Sequence, residues 1–281
     1  MIQEIAPHRF DITYRPDRAP QEEDFLLGSE EDRFWLCRAP EGVRFPLFRE
    51  WEGRPMARYL FSIDGRAFFL ALTEKGPRGD SFFPAPVSFF RRGEGMAKPL
   101  RFAGVTAWQL IRWYREHSFC SACGRPTSHS ETERMIFCPH CRRAVYPKIS
   151  PALILAVTDG DRLLMSRYRG KESTRPLGED GVLLAGYMEV GETPEDAARR
   201  EIWEETGLRV KNLRYYRSQP WGYSDTLLLG FTAELDGDNT ITLQEDELSA
   251  AGWVPRGEIV RENEDFSLTN EMITAFREGR L

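Results

Sequence analysis

The amino-acid sequence predicts an α+β fold in which strands outnumber helices. Apolar runs bounded by turn residues recur along the 281 residues, whereas apolar residues at helical spacing occur in only a few segments. Four cysteines in two close pairs mark a separate small module between these parts. We therefore divide the chain into residues 1–103, residues 104–149 and residues 150–281.

Residues 1–103 are rich in aromatic and turn residues, which is typical of a mostly β domain. Asp64-Gly65 separates two apolar runs, Arg58–Ile63 and Arg66–Leu72, and this dipeptide favours the tight turn of a β-hairpin. Neither a set of metal ligands nor a catalytic arrangement stands out here. We expect this region to be a packing domain.

Residues 104–149 begin with a predicted linker helix over Val105–Glu116. Trp108, Ile111 and Tyr114 recur there at a spacing of three, so they share one face of a helix. The helix leads directly into the cysteine module.

The cysteine module carries two CxxC pairs, in chain order Cys120, Cys123, Cys138 and Cys141. Two such knuckles at this separation fit one tetrahedral zinc ion, and Gly124 can supply the positive φ that the turn after a pair needs. Four thiolates leave no open position for water, so the zinc is expected to be structural. Redox-active or disulfide-bonded pairs are the alternative.

The sequence pattern of residues 150–281 predicts strands mixed with a few helices. The predicted strands are Pro151–Val157 and Arg162–Tyr168, which flank Asp159-Gly160-Asp161, and then Gly181–Ala185, Asn212–Tyr216 and Thr226–Ala233. The predicted helices are Pro194–Thr206 and Leu268–Phe276.

The first of these helices has well-defined ends. Thr193 can act as its N-cap, with Pro194 at the first helical position, and Gly207 can end it in a left-handed conformation.

Glutamates crowd one side of this predicted helix. Glu201 lies three and four positions before Glu204 and Glu205, and Glu192 just before the helix can reach the same region. Like charges at that spacing cost ~0.2–0.5 kcal/mol per pair, and Arg200 offsets only Glu204 within the helix. Divalent cations with oxygen ligands would relieve the repulsion. A solvated acidic face is the alternative for such a helix taken alone.

The full spacing around the helix reads G-x5-E-x7-R-E-U-x-E-E-x-G-U, where U is apolar. Its fixed positions are all met, by Gly186, Glu192, Arg200, Glu201, Ile202, Glu204, Glu205, Gly207 and Leu208. This pattern resembles the Nudix box without a departure. The resemblance implies a Nudix α/β/α sandwich with a mixed sheet over residues 150–281.

The same resemblance implies the catalytic roles. Glu201, Glu204 and Glu205 are expected to bind Mg²⁺ or Mn²⁺, with Glu192 beside them, and Arg200 is expected to position a glutamate. Nudix enzymes often take a further metal ligand or base from the region of Glu247. Glu245 and Asp246 are rivals for that role, and a plain surface position is the alternative for all three.

A second element lies after the box, Ser218-Gln219-Pro220-Trp221. It is similar to the SQPWPFPxS element of the NADH pyrophosphatase family (NAD-capped RNA hydrolases), which also places a zinc ribbon ahead of its Nudix domain. The chain departs from that element at Gly222-Tyr223-Ser224, which leaves the preference among dinucleotides open. The resemblance implies that Ser218, Gln219, Trp221 and Tyr223 bind substrate. Burial is the alternative for the two aromatic residues, and hydrogen bonding within its own loop is the alternative for Gln219.

The expected reaction is hydrolysis of the pyrophosphate bond of NAD(H) to nicotinamide mononucleotide and AMP, and the same bond lies in the NAD cap of RNA. All four histidines precede residue 142, which disfavours a Ser-His or Cys-His nucleophile in the last domain and favours carboxylates with a metal. Another nucleoside diphosphate derivative such as ADP-ribose is the alternative substrate. A non-catalytic zinc-ribbon regulator that binds a nucleotide is the alternative outside enzymes.

Composition limits the other partners. The net charge of -6 does not suggest a general nucleic-acid binder. Apolar runs stay well short of the ~18 residues of a membrane span, and the first ten residues lack the apolar stretch of a signal peptide. We therefore expect a cytoplasmic protein without a membrane partner, and the family resemblance implies a homodimer.

Overall fold

The computed structural model describes residues 1–30, 32–73, 75–170, 173–244, 246–260 and 265–281. The chain forms two compact units. The first contains residues 2–148 and 222–225, and the second contains residue 1 with residues 149–221 and 226–281. The predicted boundary at residue 103 falls inside the first unit and stays a prediction.

The first unit begins with two small β-sheets, which confirms the mostly β N-terminal region. Its strands are β1 (Phe10–Asp11), β2 (Phe25–Leu27), β3 (Ser29–Glu30), β4 (Arg33–Ala39), β5 (Gly42–Arg44), β6 (Ala57–Ile63), β7 (Arg66–Ala71) and β8 (Phe82–Pro86). One sheet has the order β1-β6-β7-β2, and in the other β4 pairs with β3, β5 and β8. Buried phenylalanines such as Phe34, Phe45 and Phe90 pack edge to face between the elements.

The predicted hairpin is β6 and β7, and its ends differ from the prediction by one residue. Asp64 and Gly65 form the turn with φ of 51° and 80°, the left-handed conformation that a two-residue hairpin turn requires.

Two helices follow, α1 (Phe89–Arg92) and α2 (Lys98–Glu116). The prediction started α2 too late, at Val105. Pro99 lies in the first turn, where a missing N–H costs nothing. Gly104 lies inside the helix against the Phe90 ring, where a Cβ would come within 2.6 Å of a ring carbon, so close packing explains the glycine at this position.

The zinc ribbon completes the first unit with three short strands, β9 (Ser128–His129), β10 (Ile136–Phe137) and β11 (Ala144–Val145). They form an antiparallel sheet in the order β11-β10-β9.

The second unit is built on one mixed sheet. Its elements are β12 (Ser150–Asp159), β13 (Arg162–Tyr168), α3 (Leu177–Asp180), β14 (Leu184–Tyr187), α4 (Pro194–Thr206), β15 (Val210–Trp221), β16 (Thr226–Leu235), β17 (Leu248–Pro255) and α5 (Leu268–Arg277). The order is β15-β16-β12-β13-β17, with β14 also paired to β12. The β12–β16 pair is parallel and the other pairs are antiparallel.

Alternate residues of the central strand β12 belong to two different cores. Leu153 and Leu155 pack in a cluster with residues of α4, whereas Ile154 and Ala156 pack in a cluster with residues of α5. Because successive side chains of a strand point to opposite faces, the sheet is covered by α4 on one face and by α5 on the other. This arrangement confirms the predicted α/β/α sandwich.

Several strands differ from the prediction. β14 lies at Leu184–Tyr187 rather than at 181–185, and β15 continues to Trp221, so Ser218–Trp221 belongs to a strand and not to a loop. β17 was not predicted, because Ala250, Ala251 and Gly252 give its centre little β propensity. Among the described residues, no helix is both long and apolar enough to cross a membrane.

We expect Gly160→Ala to lower the free energy of unfolding of the second unit by about 1 kcal/mol, because Gly160 has φ of 59° in the β12–β13 turn. Nothing lies within 4 Å of a Cβ there, so the loss would come from the backbone alone. Gly257→Ala is the matched control, since its Cβ is equally free and its φ is not positive. Urea denaturation measures both, and equal stabilities of the two variants would contradict the prediction.

Candidate functional site

Helix α4 carries the glutamates, and local chemistry sets its ends. The Thr193 hydroxyl accepts a hydrogen bond from the backbone N–H of Asp196 at 3.2 Å, and Gly207 ends the helix with φ of 69°. Ala198 and Ile202 bury one face of the helix in the core. Glu201 and Glu205 lie on that buried side because they are three and seven positions from Ala198.

Arg200 binds three carboxylates at once. Its Nε and Nη2 donate to the two carboxylate oxygens of Glu192 at 2.6 and 2.8 Å. Its Nη1 donates to Glu201 at 2.8 Å and to Glu204 at 2.9 Å. The Tyr187 carbonyl accepts a further hydrogen bond from Nη2 at 3.1 Å. Glu201 therefore has a partner within the helix, whereas the i, i+4 spacing predicts one only for Glu204.

The guanidinium fixes the charge of Glu192. Hydrogen bonds from Arg200, together with one from the backbone N–H of Glu189, lower the pKa of the Glu192 carboxyl to about 2. The same contacts raise the pKa of Arg200. This pair stays ionised across the physiological range.

Glu205 has a different environment. Glu205 is only 1% exposed, and neither oxygen of its carboxylate has a hydrogen-bond partner among the described residues. Burial raises the pKa of this carboxyl to about 8, with further contributions from the charges of Glu201, Glu247 and Glu204. An ionised Glu205 is therefore unfavourable unless a positive charge comes to it.

Glu201 lies beside Glu205 and directly over Gly186 of β14. A Cβ at Gly186 would come within 2.0 Å of the Glu201 carboxyl carbon, so only glycine leaves room for this carboxylate. Burial also raises the pKa of Glu201, opposed by Arg200. The glycine of the box thus has a direct steric reason.

The remaining predicted acids lie around this pair. The Glu204 side chain is 49% exposed, at the edge of the same helix face. Glu247 is exposed just before β17, and its charge contributes to the raised pKa of both Glu201 and Glu205. Its rival Asp246 is exposed too, and Glu245 lies outside the described residues.

Tyr168 also belongs to this cluster, although no sequence motif indicates it. Its hydroxyl donates to the Ala185 carbonyl at 3.4 Å. Burial raises its pKa, followed by the charges of Glu205, Glu201 and Glu247. A tyrosine at the end of a strand carries no motif, so only the tertiary structure brings it here.

The donor set fits a divalent cation. Carboxylate oxygens are the ligands that Mg²⁺ and Mn²⁺ prefer, and the two partnerless oxygens of Glu205 are buried beside Glu201. In the present arrangement Arg200, rather than a shared centre, holds Glu201 and Glu204.

The predicted substrate residues lie in two different settings. Gln219 is fully buried in β15, where its amide nitrogen donates to the Phe266 carbonyl at 2.9 Å and its amide oxygen accepts from the Leu268 N–H at 2.7 Å. Both ends of Gln219 thus bind backbone at the start of α5. The Trp221 ring lies edge-on to Phe266, with centroids 5.5 Å apart.

Ser218 is partly buried in β15, and Tyr223 lies in the turn after it. Tyr223 belongs to the first unit, where burial raises the pKa of its phenol and its carbonyl accepts a long hydrogen bond from Arg112 at 3.5 Å. Substrate binding by Ser218, Gln219, Trp221 and Tyr223 stays a prediction.

The four cysteines converge as predicted. The sulfur atoms of Cys120, Cys123, Cys138 and Cys141 all lie within 4.8 Å of one another. Among the described residues this is the only group of three or more His, Cys, Asp or Glu with ligand atoms so close. The two knuckles share one backbone hydrogen bond: the Gly124 N–H donates to the Cys120 carbonyl and the Arg142 N–H donates to the Cys138 carbonyl, both at 2.8 Å. The set fits a tetrahedral, structural zinc ion.

Two family models match the parts of the chain that carry these residues. The family model described as the NUDIX domain matches residues 148–275. Residues 148–275 are therefore a Nudix domain. Ahead of the Nudix domain, residues 115–146 match the model described as the NADH pyrophosphatase zinc ribbon domain.

Curated relatives carry the name NAD-capped RNA hydrolase NudC. The protein of Citrobacter koseri is 43% identical over 145 residues, which are 52% of this chain and 54% of that protein. The proteins of Salmonella typhi and Klebsiella pneumoniae are 43% and 42% identical over the same shares. The chain thus spans about half the length of the curated relatives it matches.

Solved structures include similar Nudix proteins. A NUDIX hydrolase from Nitrosomonas europaea has a TM-score of 0.44 and 21% sequence identity, and the match covers 58% of this chain and 91% of that chain.

We expect Gln219→Leu to lower the free energy of unfolding by about 1–3 kcal/mol, because it removes two buried hydrogen bonds, one to the Phe266 carbonyl and one from the Leu268 N–H. The exposed Gln21 provides the control, as Gln21→Leu should change stability by less than about 0.5 kcal/mol. Urea denaturation followed by tryptophan fluorescence measures the difference. A fully stable Gln219→Leu protein would show that these hydrogen bonds do not stabilise the fold.

In zinc-loaded protein free of Mg²⁺ and Mn²⁺, we expect the free energy of unfolding to fall as pH rises from about 5 to 8. The unfolded chain ionises Glu205 near its ordinary pKa of 4.5, whereas the folded protein keeps the proton up to about pH 8. The folded state therefore binds the extra proton in this window, and its advantage is lost as protons become scarce.

Glu205→Gln should remove most of this decline, which is on the order of 4 kcal/mol for the cited shift. Adding Mg²⁺ should reduce the decline in the unsubstituted protein. Glu195→Gln, at an exposed position of the same helix, is the control and should keep it. If Glu205→Gln declines as steeply as the unsubstituted protein, the burial of this carboxyl has been assigned wrongly.

Proposed function

We propose that the chain hydrolyses the pyrophosphate bond of NAD(H), giving nicotinamide mononucleotide and AMP, and removes the NAD cap from RNA by cutting the same bond. One observation carries the chemistry: Glu205 is a buried carboxylate without a hydrogen-bond partner among the described residues, and it lies next to Glu201. The names of the curated relatives and of the zinc ribbon family support the choice of substrate.

Carboxylates alone would repel the anionic oxygens of a pyrophosphate. A bound Mg²⁺ or Mn²⁺ neutralises those oxygens and lowers the pKa of an attacking water. Glu201, Glu204 and Glu205 are the residues that would hold the ion, since they combine two buried carboxylates with one at the helix edge.

Arg200 acts on the ligands. By binding both oxygens of Glu192 it fixes the segment before the helix, and through Nη1 it orients Glu201 and Glu204. A single guanidinium cannot neutralise all these acids, so the cluster keeps its attraction for a cation.

Glu247 is the residue that would accept the proton of the water. Its exposed position leaves it hydrated, and its charge acts on both buried glutamates. Asp246 and Glu245 are the alternatives for this role, and Glu245 lies outside the described residues.

Assembly as a homodimer and residence in the cytoplasm are further parts of the proposal, supported by the family resemblance. Light scattering of the purified protein measures the first, and a monomer mass would contradict it.

The test of the reaction is a product assay with Mg²⁺ on NADH, NAD⁺, ADP-ribose and NAD-capped RNA. We expect nicotinamide mononucleotide and AMP from NADH, and Glu204→Gln should lower turnover by about a hundredfold or more. Glu195→Gln is the control and should retain turnover. Binding of NADH without product would identify a nucleotide sensor, and ADP-ribose as the sole substrate would identify a different hydrolase.

Gly186→Ala gives an independent check of the geometry. The new Cβ displaces the Glu201 carboxylate, the far end of a flexible side chain, so activity should fall more than tenfold while the fold remains. Gly252→Ala is the control, because its Cβ would have no neighbour closer than 3.4 Å. Undiminished turnover of Gly186→Ala would show that the position of Glu201 does not matter.

A further inference from the structure

The zinc ribbon contains a cavity of about 300 Å³ beside its cysteines. Phe119, Ile136 and Val145 line it together with Arg143, and none of the described lining residues is a carboxylate. The volume lies at the lower end for ligand pockets, so the cavity suits one flat ring rather than a whole dinucleotide.

Phe119 presents an aromatic ring at this cavity. The residue is 63% exposed, yet its backbone is held by an antiparallel bridge to Pro126. A single exposed apolar residue is ordinary on a protein surface. Here the ring also lines a cavity and lies on a fixed backbone, which are the properties of a stacking surface for a nucleobase.

Three exposed arginines follow the two cysteine pairs closely in the chain, Arg125, Arg142 and Arg143, and Arg143 also lines the cavity. Among the described residues, no ion pair involves any of them. Their guanidinium groups are thus available to an anion, and arginine binds phosphate well through its fork of N–H donors.

Arg142 occupies a costly position. It has φ of 57° at the point of the second knuckle where the first knuckle has Gly124, with φ of 68°. The two residues make the same hydrogen bond to the carbonyl of the first cysteine of their pair. Glycine would adopt this left-handed conformation at a lower free-energy cost than arginine. The presence of Arg142 here therefore suggests that its guanidinium has a role beyond closing the turn.

We propose that the zinc ribbon binds a single strand of RNA, with one base stacked on Phe119 in the cavity and the phosphates on Arg125, Arg142 and Arg143. A fixed aromatic ring beside unpaired arginines is the chemistry that recognises single-stranded nucleic acid without reading its sequence. The inference rests on the proposed function in naming RNA, since the ribbon would bind the RNA body behind the cap.

The test measures binding of a fluorescein-labelled, uncapped single-stranded RNA of twelve nucleotides to the full-length, zinc-loaded protein, by fluorescence anisotropy at several salt concentrations. Phe119→Ala should raise Kd about tenfold, and Phe119→Trp should restore it. Arg142→Gly should reduce the slope of log K against log salt by about 0.7, while the fold stays as stable or becomes more stable.

Arg33→Gln is the control for charge, because Arg33 is an exposed arginine of β4 outside the ribbon. It should leave both Kd and the salt slope unchanged. Hydrolysis of free NADH and zinc content should be unaffected in all four variants, which separates RNA binding from folding.

Two results would overturn the proposal: RNA binding by Phe119→Ala and Arg142→Gly that equals the unsubstituted protein, or equal affinity for duplex RNA, whose bases cannot enter the cavity. The first result would leave a protein partner as the occupant. Failure of the proposed hydrolysis is recognised separately, because the RNA lacks a cap and its binding needs no turnover.

Discussion

The burial of two neighbouring carboxylates on the inner side of α4 is the constraint on which the candidate site of the second unit depends. Glu201 and Glu205 lie on the face that also packs Ala198 and Ile202 into the core. An ionised carboxylate on that face raises the free energy of the folded state unless a hydrogen bond or a positive charge compensates for its lost hydration. Gly186 removes the steric obstacle over Glu201, but nothing among the described residues hydrogen-bonds Glu205.

Arg200 shows how the fold manages part of this charge. It binds Glu192 with two hydrogen bonds and shares Nη1 between Glu201 and Glu204. One positive charge among so many acids leaves a negative centre. Such a centre by itself would repel the anionic oxygens of a pyrophosphate. A bound cation would attract both the glutamate carboxylates and those oxygens, and would so remove the repulsion. The arginine therefore orders the glutamates without satisfying them, which is what a site for an exchangeable ion requires.

The ribbon solves a different problem in the first unit. A short module cannot bury enough apolar surface to fold alone, so the metal holds its three two-residue strands together. Counted along residues 112–150, seven Arg or Lys stand against three Glu and a zinc–thiolate centre of about -2, so the positive excess is small. In the structure, Arg125, Arg142 and Arg143 are exposed and outside the ion pairs of the described residues, and Arg143 lines the same cavity as Phe119.

The sequence by itself determined the features that depend on near neighbours. Capping chemistry at Thr193 and Gly207 gave both ends of α4, the Asp64-Gly65 turn gave the hairpin, and the cysteine spacing gave the ribbon. Contacts between distant segments decided the rest. Packing against the Phe90 ring explains Gly104 inside α2. Pairing with β13 stabilises β17 although its Ala-Ala-Gly centre has little β propensity. Backbone groups at the start of α5 hydrogen-bond both ends of the Gln219 amide. Tyr168 joins the glutamates only through the sheet, because propensity and spacing report local energies whereas burial and partners are set by the whole fold.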